Sequence, residues 1–429
     1  MMKYTGKKNT TSRRSFLAMA GAGIAAPAIL RHTRAYAANP VLKIGHVSPR
    51  TGHYAGFAEA DDFVLEGINK VLGAGLENNG KTYDVEIISK DTQSNPNRAA
   101  EVASELILGE EVDLIVAAST PDTTNPVSDQ AELNEVPCIT TDCPWQPYFF
   151  GRNGDPKTGF DYTYHFFWGL EDVIDSFLDL WDRAGVKKSV GGLFPNDADG
   201  NAWGDQTHGF PPALLGHGYD LVDPGRFQPL SDDFSSHISA FKEAGCEIVT
   251  GNMIPPDFGT FWAQCAQQGF NPKVVTIGKA LLFPSVIESL GDRGDGLTSE
   301  IWWTPDHPFS SSLTGESARQ LAEGYTQSSG RPWTQPIGFK HALFEVATDV
   351  LRRSADLDDP SSILEAIRST DLTTVVGYIN WGFGPVKNVS KTPLVAGQWQ
   401  KGPNGFDLVI TANRSAPEIP TTGTLKLLS

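Results

Sequence analysis

Beyond Pro40 the sequence alternates repeatedly between two kinds of segment. A stretch with helical apolar spacing ends at a glycine or a polar break. A short run of apolar, β-prone residues follows, and a polar loop closes the unit. In "AAEVASELILGEEVDLIVAAS" (99–119), Ala99, Val102, Ala103, Leu106 and Ile107 lie at helical spacing ahead of Leu114-Ile115-Val116. "DQAELNEVPCITT", "FLDLWDRAGVKKSVGGLFP", "HISAFKEAGCEIVTGNM" and "CAQQGFNPKVVTIG" repeat the arrangement. Helices and strands alternating at this length make parallel βαβ units. The strand runs are apolar throughout, as in a sheet covered on both faces. The chain is read as an α/β protein.

The units fall into two groups, Leu42 to about Thr141 and about Val173 to Ile277. Between them "PWQPYFFGRNGDPKTGFDYTYHFFWGLED" breaks the periodicity with Pro, Gly and aromatics. Further helical stretches, "GFKHALFEVATDVLRRSA" and "SSILEAIRST", follow a Pro- and Ser-rich region. "PLVAGQWQKGPNGFDLVITAN" reads as a β-hairpin turning at Pro403-Asn404-Gly405. Two Rossmann-like lobes of similar make-up imply a cleft between them, with a ligand outside the carboxyl ends of the strands.

The first 37 residues are expected to be an export signal rather than part of the fold. Ser12-Arg13-Arg14-Ser15-Phe16-Leu17 has the twin-arginine pattern, a weakly apolar stretch runs to Leu30, and Ala35-Tyr36-Ala37 offers a small-x-small cleavage site. No cysteine precedes Cys138, so no lipid-attachment site is expected. No later run approaches a membrane span, and no stable membrane insertion is expected after cleavage. Removing seven positive charges and no acid would take the formal net charge from −17 to −24. So acidic a surface argues against nucleic acid as a partner. Cys138, Cys143, Cys246 and Cys265 show no metal-knuckle spacing. A Cys246–Cys265 disulfide and buried free thiols both remain open. No G-x-S-x-G, H-E-x-x-H or P-loop is present, so no catalytic residue and no cofactor is assigned.

"DLIVAASTPDTTNPVSD" (113–129) ends an apolar strand in two hydroxyls, a proline and an acid. Asp122 or Thr123 would cap a following helix. Alternatively the loop presents its hydroxyls and amides to a ligand, as a helix N-terminus suits an anion.

The chain resembles the leucine/branched-chain amino acid-binding family of periplasmic receptors, the type I solute-binding proteins of ATP-driven importers. The likeness runs from "VLKIGHVSPRTGHYAGFAEADDFVLEGIN" to the terminal hairpin. It is carried by Thr51-Gly52, "DTQSNPNRAAEVASELI", the loop at 119–124, "PNDADGNAWGD" and "VVGYINWGFG". The resemblance implies two lobes joined by three hinge crossings, here 38–168 with 300–376 and 169–299 with 377–429. It implies a small-molecule ligand, an inner-membrane ABC permease as partner and a periplasmic location. A ligand sensor for a membrane signalling receptor, or a hydrolase of small amides, is the alternative.

Residues implied to face the ligand are Phe57, Ser119, Thr120, Asp122, Thr141, Asp142 and Cys143 from one lobe. The other lobe offers Trp203, Met253 and Lys279. Asp197, Asp199 and Asn201 superficially resemble a calcium loop, but His208 stands where the twelfth-position acid should be, so no metal is expected. Relatives place an acid just after the strand "VTIG" to hold an ammonium; here Lys279 follows. A lysine facing the ligand would favour a carboxylate over a plain α-amino acid.

Overall fold

The computed structural model describes residues 38–403 and 405–428. The expected export signal and Asn404, in the expected hairpin turn, lie outside these residues. Sixteen strands are described. The first group is β1 (Val41–Ser48), β2 (Leu76–Asn78), β3 (Lys81–Asp91), β4 (Leu114–Ala118), β5 (Cys138–Thr141) and β6 (Thr163–Phe166). The second is β7 (Ser189–Leu193), β8 (Asp220–Val222), β9 (Ile248–Met253), β10 (Val274–Lys279) and β11 (Thr298–Ile301). The remainder are β12 (Leu372–Thr374), β13 (Gly377–Ile379), β14 (Val389–Ser390), β15 (Val395–Gly402) and β16 (Gly405–Ala412).

Two seven-stranded sheets result, ordered β14-β6-β5-β4-β1-β3-β2 and β16-β15-β11-β10-β9-β7-β8. Pairing is parallel apart from the edge hairpins: β2 on β3, and β15 on both β11 and β16. The chain passes from the first sheet to the second after β6, returns after β11, and crosses again between Ser390 and Val395. The last crossing differs from the expected boundary at 376, because β14 pairs with β6 and so lies in the first sheet. β4, β9 and β10 are buried along their whole length, as their unbroken apolar runs require.

The helix Pro121–Leu133 starts at the proline, ahead of the expected caps Asp122 and Thr123. Pro121 at the first helical position carries a preset φ and no amide to satisfy. Neither Asp122 nor Thr123 caps it; the cap position is Thr120, whose side chain makes no capping bond.

One buried charge holds the first lobe's strand ends together. Lys340, on the helix Pro336–Arg353, puts its ammonium 3.1 Å from Asp61 Oδ1 and donates to Ser48 Oγ (2.8 Å) and the Ala118 carbonyl (3.0 Å). Both side chains are fully buried. Burial works to raise the Asp61 pKa, but Lys340 and the neighbouring hydrogen bonds outweigh it and hold the carboxyl below its usual value. The neighbouring His46 is pushed down to about 4 by burial and stays neutral. Lys340→Met would strand the Asp61 charge, so we expect a loss of about 3–5 kcal/mol. Urea unfolding measures it, and the double variant Lys340→Met/Asp61→Leu should recover most of that loss.

Candidate functional site

The carboxyl ends of both sheets converge on one small, nearly filled cavity. Its walls are delivered strand by strand. Phe57 follows β1, Thr120 follows β4, Asp142 and Pro144 follow β5, and Trp168 follows β6. From the second lobe, Asp199 and Trp203 follow β7, Asn252 and Lys279 end β9 and β10, and Glu300 with Trp302 ends β11. The lobes touch around it. Phe57 meets Phe283 edge-on at 5.4 Å between centroids and lies 6.0 Å from Trp302. A Cβ at Gly56 would come within 3.0 Å of the Phe283 ring, so the glycine permits this approach.

Lys279 is not free to meet an anion. Its ammonium lies 2.7 Å from Asp199 Oδ2 and 3.4 Å from Asp197 Oδ2, with all three side chains buried. Burial disfavours the ammonium, but Asp197 and Asp199 outweigh that and raise the Lys279 pKa. Burial pushes Asp199 up against the same ammonium. At 2.7 Å the contact is a charge-assisted hydrogen bond, and the pair is ionic. Asp197 also caps the helix Ala198–Trp203, its Oδ1 accepting from the Gly200 amide at 2.7 Å. The lysine backbone is turned (φ 61°, ψ −65°), and its amide donates to Glu300 Oε1 at 3.2 Å.

Asp142 stands at the matching place in the first lobe, also with positive φ (75°). It is 3% exposed, and neither carboxylate oxygen has a hydrogen-bond partner. Burial pushes it up to about 7, against the pull of Lys340. Glu300 is likewise pushed up to about 7 by burial.

Other polar atoms around the cavity are unpartnered as well. They include Thr120 Oγ1, Asp199 Oδ1, both amide atoms of Asn252, and the indole nitrogens of Trp168 and Trp203. Buried polar groups are ordinarily satisfied, since leaving one unpaired costs about 1–3 kcal/mol. So dense a concentration on the walls of one cavity marks a surface made to contact something.

Of the ten residues read from the sequence, Phe57, Thr120, Asp142, Trp203 and Lys279 line the cavity. Ser119 is buried beside them with its hydroxyl unpartnered. Asp122 sits at the junction of the lobes. Burial raises its pKa, while the Ala198 amide and the Tyr54 hydroxyl, at 3.4 Å, oppose the rise. Three residues have other roles. Thr141 donates its hydroxyl to the Phe166 carbonyl (2.6 Å), and Met253 packs in the second lobe's core because strand alternation turns Asn252 to the cavity instead. Cys143 packs among Trp145, Tyr148 and Phe149.

The Cys143 thiol is buried and held protonated. Its Sγ lies 3.9 Å from His165 Nε2, but that nitrogen bonds the Cys143 carbonyl at 2.8 Å, and burial pushes the thiol well above its usual pKa. All four cysteines are free and buried. No metal-holding group of His, Cys, Asp or Glu occurs among the described residues.

The sequence reading missed Trp168, the Lys279 partners Asp197 and Asp199, and Glu300. Glu300 carried a signal: an acid between the apolar runs of "GLTSEIWW", at a strand's carboxyl end.

The family model described as periplasmic binding protein matches residues 41–403. The chain belongs to that family. Among solved structures it is similar to a leucine-binding protein from Thermotoga maritima, with TM-score 0.70 and 20% identity, over 87% of this chain and 99% of that one. A solute-binding protein of an ABC transporter from Rhodopseudomonas palustris, in complex with 3,4-dihydroxybenzoic acid, gives TM-score 0.70 and 18% identity over 88% and 98%. A branched-chain amino acid transporter substrate-binding protein from Streptococcus pneumoniae, in complex with isoleucine, gives 0.67 and 14% over 86% and 99%. At these identities the likeness shows the two-lobed fold. No curated protein sequence matches the chain.

The raised carboxyls fix a pH dependence. Between about pH 4 and 7 the folded protein holds protons on Asp142 and Glu300 that the unfolded chain has released. Their contribution to stability is therefore full below pH 4 and lost as pH rises through 7. Asp142→Asn should remove part of this slope, gaining a few degrees in Tm over wild type at pH 8 and little at pH 4. Thermal melts across that range check it.

Proposed function

We propose that the protein is the solute receptor of an ABC importer, capturing a small organic molecule between its lobes and presenting it to a membrane permease. The observation that carries this reading is the unpartnered polar groups, contributed by both lobes, that wall a single aromatic cavity. A ligand touching both lobes at once stabilises the closed arrangement over an open one, which is how binding drives closure. The family name supports a periplasmic location, and the 1–37 segment supports export by the twin-arginine route. No described helix is long and apolar enough to cross a membrane.

The structural relatives are described in complex with isoleucine, 4-hydroxybenzoate and benzoate. From these we carry over ligand size and not charge. The carboxylate ligand expected from the sequence required an uncompensated Lys279, and two aspartates compensate it.

Three indoles in the cavity wall provide the readout. Ligand addition should change the intrinsic tryptophan emission and raise Tm, and Trp203→Ala should weaken binding at least tenfold. Native mass spectrometry of protein from its own periplasm would show a bound small molecule. Release of chemically altered ligand would instead favour an enzyme, and absence of any ligand across a broad metabolite panel would sink the receptor reading.

A further inference from the structure

We propose that the cleft selects a small organic cation, a protonated amine that also carries an oxygen acceptor, in preference to a carboxylate. This assignment rests on the receptor reading and specifies the charge of its ligand.

The first ground is Asp142. Both its oxygens are buried, unpartnered and directed at the cavity. The nearest buried cation on its own lobe, Lys340, is committed to Asp61, Ser48 and the Ala118 carbonyl. A protonated amine would supply the missing donors and the missing positive charge together. A ligand carboxylate would bring a like charge beside a buried acid, which is strongly unfavourable at low effective dielectric.

The second ground is the second lobe's own charge balance. Lys279 is matched by Asp199 and Asp197, and Asp199 still turns an unpartnered Oδ1 into the site. Glu300 spends its oxygens on the Lys279 amide and the Ser299 hydroxyl. The positive end of the helix Pro121–Leu133 already has Asp122 in its first turn. The places where an anion would settle are filled by the protein's own carboxyls.

The third ground is aromatic. Phe57 and the indoles of Trp168, Trp203 and Trp302 surround the cavity, and aromatic walls attract cations. The indole N–H groups of Trp168 and Trp203 lack acceptors, and an oxygen on the ligand beside its ammonium would supply them. An amino alcohol or an amino acid amide meets both demands. A free α-amino acid meets them only by holding its carboxylate within a few ångströms of its ammonium, hence close to Asp142.

Matched pairs of opposite charge test this at pH 7.5 by calorimetry and thermal shift: benzylamine with benzoate, 4-hydroxybenzylamine with 4-hydroxybenzoate, leucinamide and leucinol with leucine. We expect the amine of each pair to bind at least tenfold more tightly than its carboxylate counterpart, with leucinamide and leucinol ahead of benzylamine. Asp142→Asn should weaken the amines at least tenfold, with near-ultraviolet circular dichroism confirming its fold. The wild-type pairs decide the matter if that variant misfolds. Tighter binding of benzoate or leucine would overturn the cation assignment and leave the receptor reading standing. No binding by either class overturns the assignment, and with no co-purified ligand by native mass spectrometry the receptor reading falls too.

Discussion

An ammonium buried among carboxylates organises the second lobe. Taking Lys279 out of water costs several kcal/mol unless acids meet it, so Asp197 and Asp199 must converge on the end of β10. That requirement folds the segment after β7 over the sheet edge. Asp197 starts the helix Ala198–Trp203 with one oxygen and faces the lysine with the other. The helix then brings Trp203 against Gly278, where any Cβ would lie 2.7 Å from the indole. A helix start and an indole position are thus tied to one charge.

The lobes repeat a device at their facing edges. Asp142 after β5 and Lys279 at the end of β10 both have positive φ, a conformation costing residues other than glycine about 1–3 kcal/mol. In the first lobe Lys340 ties β1 to β4 behind the site; in the second Glu300 grips the Lys279 amide. At Asp142 backbone strain and unpaired polar atoms coincide, and there local preference has given way to the shape of the cavity.

Much of the architecture was legible in the sequence because burial on both sheet faces leaves unbroken apolar strands, and helical spacing between them leaves little choice but βαβ units. The carboxyl ends of those strands pointed to Thr120 and Asp142, while Trp203 and Lys279 came from the family resemblance; all four line the cavity. The two-residue β14 escaped notice because so short a strand has no periodicity to detect. Within the site, the reading failed wherever one residue's meaning depended on another distant in sequence. Lys279 looked like a free cation because its partners lie about eighty residues earlier. Met253 and Asn252 differ by one position on β9, and strand alternation turns Asn252 to the cavity and Met253 to the core.

The delivery of wall residues from separate strand ends has an evolutionary consequence. Each strand behind the cavity contributes only one or two side chains to it, and several of these, such as Thr120, Asp142 and Trp168, stand just past the hydrogen-bonded ladder. A substitution at one of these positions past the ladder leaves the pairing register intact, whereas a change at Lys279 would also strand two buried acids. Such a scaffold can change its ligand one strand at a time, each step a folded protein, which makes it a favourable starting point for descent into receptors with unrelated cargoes.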